Sequence, residues 1–219
     1  MTEIAFVCPD RHLLYTGRTP EQSGVGGGVT ARIRMAEALA RAGRQVSMVV
    51  NCGREEWHKG VHYIPLGEAR GLSVDVCIVN SSGGAYSLEG LESDGVESGL
   101  RIYWMSGVDP PAGFDAGRFD YVYAKSNFLR KRALENWGVP SSKVFVAYNG
   151  FEEAYFRDVD AEESRDPYQL VYFSHPSKGL DAALRVLRIL RELNERFHLE
   201  VFGGAALWGQ HEEREFDEP

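Results

Sequence analysis

Cysteine is scarce in this chain of 219 residues: Cys8, Cys52 and Cys77 are the only three, and no two stand at CxxC spacing. An odd count cannot pair completely. Each cysteine lies in or at the end of an apolar run, so reduced core thiols are expected rather than a disulfide framework. Histidine and cysteine nowhere cluster at ligand spacing, which argues against zinc. No apolar run approaches the roughly 20 residues of a membrane-spanning helix. The chain enters a strand-like run at Ile4–Cys8 without a signal-peptide pattern. Together these features predict a cytoplasmic protein that holds no metal. Positive charge is also in deficit. With 24 Lys and Arg against 32 Asp and Glu, the net charge is −8, which argues against a nucleic-acid partner. A local basic site for a phosphorylated ligand remains compatible with that balance. Internal repeats are absent, and so are low-complexity tracts apart from one glycine-rich loop.

What the chain does have is an alternation of strand and helix signals. Apolar residues make up 43% of it, an ordinary share for a globular domain. Ile4–Cys8 reads as a buried strand, and Pro9 to Gly28 as a long loop holding Gly17, Gly24, Gly26, Gly27 and Gly28. Thr30–Ala42 follows as a helix with Val29, Ile33, Ala36 and Ala40 on one face. Gly43 suits the position just past its end, and Gln45–Val50 is the next strand. Loops of this length are usually functional or disordered. Its glycines let backbone amides approach a bulky ligand closely; a flexible surface loop is the alternative. The spacing is not the dinucleotide fingerprint, and Asn51, not an acidic residue, ends the second strand. An NAD-dependent oxidoreductase is therefore disfavoured.

Further strands are read at Val61–Leu66, Val74–Asn80, Arg101–Met105, Phe119–Lys125 and Val144–Tyr148, with short helices at Ser87–Ser93 and Asn127–Trp137. Ser126 fits the N-cap of the second helix. In open parallel sheets, ligands bind beyond the carboxyl ends of the strands. Ser82, Ser106, Asp109 and Asn149 fall there and are candidate cleft residues. Asp109 is a candidate catalytic residue, or simply a turn former ahead of Pro110-Pro111. The basic run Arg130-Lys131-Arg132 is either a solvated helix face or a contact for phosphate or an anionic surface.

A βαβ unit closes the readable part of the chain: strand Leu170–Ser174, helix Gly179–Asn194 and strand Leu199–Phe202, ending in Gly203-Gly204. The helix carries apolar residues at Leu180, Ala183, Leu184, Leu187, Leu190 and Leu193. The turn between is Ser174-His175-Pro176-Ser177-Lys178. Ser177 is the expected N-cap. The helix start and the Lys178 ammonium form a candidate phosphate site, with an ordinary solvated turn as the alternative.

Four stretches resemble the retaining GT-B glycosyltransferases. They are the Pro176-Ser177-Lys178-Gly179 turn with the Phe202-Gly203-Gly204 strand end, the Gly26-Gly27-Gly28 loop with Met35–Val46, the Trp104–Asp109 strand end, and Ser126-Asn127-Phe128 through Asn149-Gly150. The last is the most specific. The resemblance implies a Rossmann-like, doubly wound parallel sheet over 1–150 that serves the acceptor side. It further implies a linker over 151–168 and an incomplete second Rossmann-like domain beginning at 169–204. An acidic tail, 205–219, would follow. Lys178 would contact the donor's diphosphate, with His175 standing where the family has an arginine. Gly26–Gly28 would face that diphosphate from the opposite wall of the cleft, and Ser174, Gly203 and Gly204 would lie beside it. Ser106 or Gly107 occupies the family's histidine position beside the transferred sugar.

The implied reaction moves a sugar from a nucleotide sugar to a glycan, lipid or small-molecule acceptor with retention, without metal or cofactor. The family's E-x7-E glutamates have no counterpart here, so the chain alone is expected to be inactive. The lone βαβ unit is expected to pack on the first domain, to pair with another chain, or to be only partly ordered. The competing reading is a non-catalytic module that binds an acceptor or a partner.

Overall fold

The computed structural model of the chain describes residues 1–81, 87–88, 95–153 and 165–203. They belong to two units, Met1–Asn149 and Gly150–Pro219. The first is built on one sheet. Its strands are β1 (Glu3–Val7), β2 (Gln45–Val50), β3 (Glu56–His58), β4 (Val61–Pro65), β5 (Ser73–Asn80), β6 (Glu97–Trp104), β7 (Tyr121–Ala124) and β8 (Val144–Val146). They lie in the order β3-β4-β2-β1-β5-β6-β7-β8. Every pairing is parallel except β3 with β4. The mixed α/β architecture is Rossmann-like.

The apolar runs explain the middle of the sheet. β1, β2 and β5 are the central strands, and a parallel strand covered on both faces is apolar at nearly every position. Along β1 the side chains alternate between two cores. Ala5 and Val7 join Val49, Val79, Leu129, Ala133 and Trp137 on one face. Ile4, Phe6 and the following Cys8 join Val29, Ile33, Ala36 and Met48 on the other. The second face is covered by α2 (Gly27–Arg41), which buries Val29, Ile33 and Ala36 at helical spacing. α3 (Asn127–Asn136) buries Leu129 and Ala133 in the first core. Its N-cap is Ser126, whose side chain accepts from the Leu129 amide at 3.2 Å. The three cysteines are free and buried.

Several details differ from expectation. The Pro9–Gly28 segment contains a short helix, α1 (Thr19–Gln22), and α2 begins at Gly27 rather than Thr30. Gly27 and Gly28 are thus helical, drawn in because burying Val29 and Ile33 extends the helix backwards despite poor intrinsic propensity. The edge strand β3 has no apolar pattern of its own. It is held by antiparallel pairing to β4 through a turn with Lys59 at φ +46° and Gly60 at φ +79°.

Chain order makes the carboxyl edge of the sheet informative. From β1 the chain steps outward to β2 and β4, then returns to the other flank of β1 and runs β5, β6, β7, β8. The direction reverses between β1 and β5, which is where open α/β sheets place ligands.

The second unit has two parallel strands, β9 (Gln169–Tyr172) and β10 (His198–Val201), joined through α4 (Leu180–Leu193). Leu180 is buried and Ala183, Leu187 and Leu190 are half-buried, while Val186, Ile189 and Leu193 are exposed. Ser87, expected to start a helix, instead bridges to Ala112. The rest of that helix, most of the expected linker and the acidic tail lie outside the described residues.

Candidate functional site

At the carboxyl edge of the first unit, the segments around the switch point are the chain after β1, the end of β5, the end of β6, and the first turn of α2. The last follows because a crossover helix runs antiparallel to the strands it joins.

The segment after β1 carries a buried ion pair. Arg32, from the second turn of α2, is fully buried, and Asp10 is 4% exposed. The guanidinium donates to the Asp10 carboxylate. Its carbon lies 5.4 Å from the centroid of the Tyr15 ring, a cation–π arrangement. Burial pushes the Cys8 thiol up, against the opposing pull of Arg32. Burial likewise pushes the Tyr15 phenol well up, and neighbouring Cys8 adds to it. Burial alone would pull the Arg32 guanidinium down. The acidic groups around it, Cys8, Tyr15 and Asp10, reverse the sign, so it stays a cation. At neutral pH the neutral thiol and phenol therefore flank the buried Asp10–Arg32 pair. Asn51 pins the same loop: its side-chain amide donates to the carbonyls of Arg11 (3.2 Å) and Leu13 (3.0 Å). Its own carbonyl accepts from the Tyr15 amide at 3.0 Å. An acidic side chain at 51 could not donate these bonds.

At the other flank of the switch point, Asn80 is 1% exposed. Its side-chain amide donates to the Trp104 carbonyl at 2.8 Å and to the Ser106 hydroxyl at 2.6 Å. This ties the ends of β5 and β6 together and fixes Ser106 at the edge. Burial pushes the Tyr103 phenol up to about 12, a Ser81 hydrogen bond pulls against it, and the charge of Asp10 adds to it.

The first turn of α2 has no side-chain cap and no acidic residue. Gly26 is its N-cap and is buried; Gly27 is exposed and Gly28 half-buried. A Cβ built on Gly27 meets nothing within 4 Å. The leading amides of any helix lack intrahelical acceptors and carry the positive end of the dipole. Asp109 is exposed, in a loop held by the Trp137 indole, which donates to the Val108 carbonyl at 2.9 Å. Asn149 is exposed at the end of the first unit.

In the second unit the Lys178 turn is a single 3-10 turn, Pro176–Lys178. Its cap is His175, not Ser177. The His175 Nδ1 accepts from the Ser177 amide at 3.2 Å and lies 2.7 Å from the Ser177 hydroxyl. The Tyr172 hydroxyl donates to the His175 carbonyl at 2.7 Å. Ser177 is therefore not the N-cap of α4. Gly179, at φ +115°, takes that place, and Asp181 puts an acid in the first turn. Lys178 is exposed, Ser174 half-buried, and Gly203 follows β10 at φ +109°. Ser82 and Gly204 lie outside the described residues. Among the described residues no group of three or more His, Cys, Asp or Glu could hold a metal ion. No described helix is long and apolar enough to cross a membrane.

No protein-family profile matches the chain, and no curated protein does. Among solved structures it is similar to a glycosyltransferase from Rickettsia africae ESF-5, with a TM-score of 0.52 and 15% identity over 93% of this chain and 68% of that one. The chain has a glycosyltransferase-like fold. HepE of Anabaena (Alr3699), solved with UDP and glucose, aligns with a TM-score of 0.48 and 12% identity over 95% of this chain and 71% of that one.

The residues missed in the sequence are Asp10, Arg32 and Asn80. Arg32 had a signal. It sits three residues after Val29 and four before Ala36, on the buried stripe of α2, where a charge requires a buried partner.

Proposed function

We propose that this chain carries the acceptor-side unit and part of the donor site of a retaining glycosyltransferase of GT-B type that uses a nucleotide sugar. The observation that carries the reading is the uncapped, acid-free first turn of α2 at the carboxyl edge of a glycosyltransferase-like sheet. Such a turn suits a phosphate. In the reaction the bond from the sugar's anomeric carbon to the diphosphate oxygen breaks, and the electron pair leaves with the diphosphate. An acceptor hydroxyl attacks on the same face, and its proton passes to the departing phosphate oxygen. No nucleophilic side chain is needed. The barrier falls because donors already in place receive the charge that develops on the diphosphate. In the first unit Gly26, Gly27 and Gly28 supply such amides; in the second, the Lys178 turn is assigned to a phosphate in its own right. Ser106 and Asp109 are assigned to the sugar and acceptor side.

A second reading, a binding module without turnover, is favoured by exposed apolar side chains of the second unit, including Phe173 and Phe202, 81% and 53% exposed. Calorimetric titration of UDP, GDP and their sugars into the wild type, Gly27→Glu and Lys178→Ala separates the two. The transferase reading expects micromolar binding that both substitutions weaken, the first by tenfold or more. Failure of every nucleotide to bind would leave the binding-module reading.

A further inference from the structure

The Asp10–Arg32 pair has no chemical part in the reading above. Both side chains are buried, so neither reaches a ligand. Filling the space does not require charge, since apolar side chains of similar volume hold such a place as well or better. What the pair adds is direction, because a charge-assisted hydrogen bond, here from Arg32 Nη1 to one Asp10 carboxylate oxygen, is directional. Asp10 stands three residues past the end of β1, and Arg32 lies on α2 four residues after Gly28. Residues four apart share a helix face, and long side chains lean back toward the helix N-terminus. The pair therefore joins the end of β1 to the face of α2 that carries Gly28. The loop between them is tied elsewhere, by Asn51 and by Glu21, which accepts from Lys59 of the β3–β4 turn.

We propose that Asp10 and Arg32 are positioning residues. They set the axial position of α2 against β1, and so aim the amides of Gly27 to Val29 at the phosphate. The inference rests on the assignment of that turn to the donor phosphate.

The test uses the full chain with the paired substitution Asp10→Leu/Arg32→Met, which removes direction and keeps the space filled. Amide hydrogen exchange at residues 30–34, the first amides bonded back along α2, is expected to quicken at least tenfold, with β1, β2 and β5 unchanged. The dissociation constant for UDP is expected to rise at least tenfold. Arg32→Lys keeps the charge but not the planar guanidinium or its reach and is expected to fall between the two, which guards against a paired variant that folds poorly. Exchange at wild-type rates in both variants overturns the proposal whatever the affinity. Faster exchange with unchanged UDP affinity overturns it too. A wild type that fails to bind UDP refutes the phosphate site itself, and exchange alone then decides whether the pair positions α2.

Discussion

Removing one member of the Asp10–Arg32 pair should cost far more than removing both. Asp10→Leu takes the Asp10 carboxylate away from a guanidinium in a site that water does not reach, since Arg32 is 0% exposed. Arg32→Met takes the guanidinium away from the Asp10 carboxylate in turn. Breaking a buried pair from one side costs about 3–5 kcal/mol, whereas replacing both charges with well-packed apolar groups is close to neutral or stabilising. The Tyr15 ring 5.4 Å from the guanidinium carbon softens the first case by at most about 1–2 kcal/mol. The two single variants should therefore each lose about 4 kcal/mol and the double variant almost nothing, a coupling that contacts alone do not produce. Urea unfolding followed by the fluorescence of Trp104 and Trp137, both buried in the first unit, reads this directly. With a slope of about 2 kcal/mol per molar urea, each single variant lowers the midpoint by about 2 M. Single variants that lose less than about 1 kcal/mol, or a double variant that loses the sum, would refute the claim of a desolvated, mutually dependent pair.

Two further predictions test other parts of the same unit. A Cβ on Gly17 would lie 2.6 Å from both the Tyr63 hydroxyl and His58 Cδ2, so Gly17→Ala should cost about 1–3 kcal/mol and lower Tm by about 5 °C; an unchanged Tm would show that the two rings yield freely. Burial raises the Tyr103 phenol to about 12, while an unfolded tyrosine titrates near 10. The folded value is the higher one, so the contribution is complete below about pH 10 and is lost as pH climbs toward 12, with about 1 kcal/mol gone by pH 11. The difference in urea midpoint between pH 9 and pH 11 should shrink in Tyr103→Phe, and equal differences in the two proteins would refute the shift.

The fold was legible where one physical cause acts alone. The central strands are apolar because both faces are covered, and Gln45–Val50 has the same bounds in the sequence pattern and in the structure. Ser126 and Gly43 act locally, one accepting an amide at a helix start and the other taking φ +78° past a helix end. Legibility failed where tertiary contacts override local preference. β3 is three polar and aromatic residues that become a strand only because β4 lies beside them. Ser177 looks like a cap by type, yet its amide and hydroxyl are taken by the His175 ring two residues earlier, a competition invisible to residue spacing. The candidate site divides in the same way. Its glycines and Lys178 stand out in the sequence. Asp10, Arg32 and Asn80 hold the edge in shape, and only the spatial neighbours of a buried charge or amide reveal that.

The two turns proposed to meet phosphate are unequal, and this can be measured. In the proposed reading, α2 offers amides that are part of a packed 15-residue helix, with no acid in its first turn. Lys178 offers an exposed ammonium, with Asp181 at the start of the neighbouring helix opposing it. Exposed charges interact over a distance set by salt, about 10 Å at 0.1 M and about 3 Å at 1 M. Hydrogen bonds from backbone amides act at contact and escape most of that screening. Lys178→Ala should therefore weaken UDP binding several-fold at 0.05 M salt and barely at 1 M, and the wild type should lose only that several-fold across the range while the variant stays nearly level. If wild-type binding instead collapsed with salt, the grip would come from surface charge, and the first turn of α2 would lose its place as the main phosphate site.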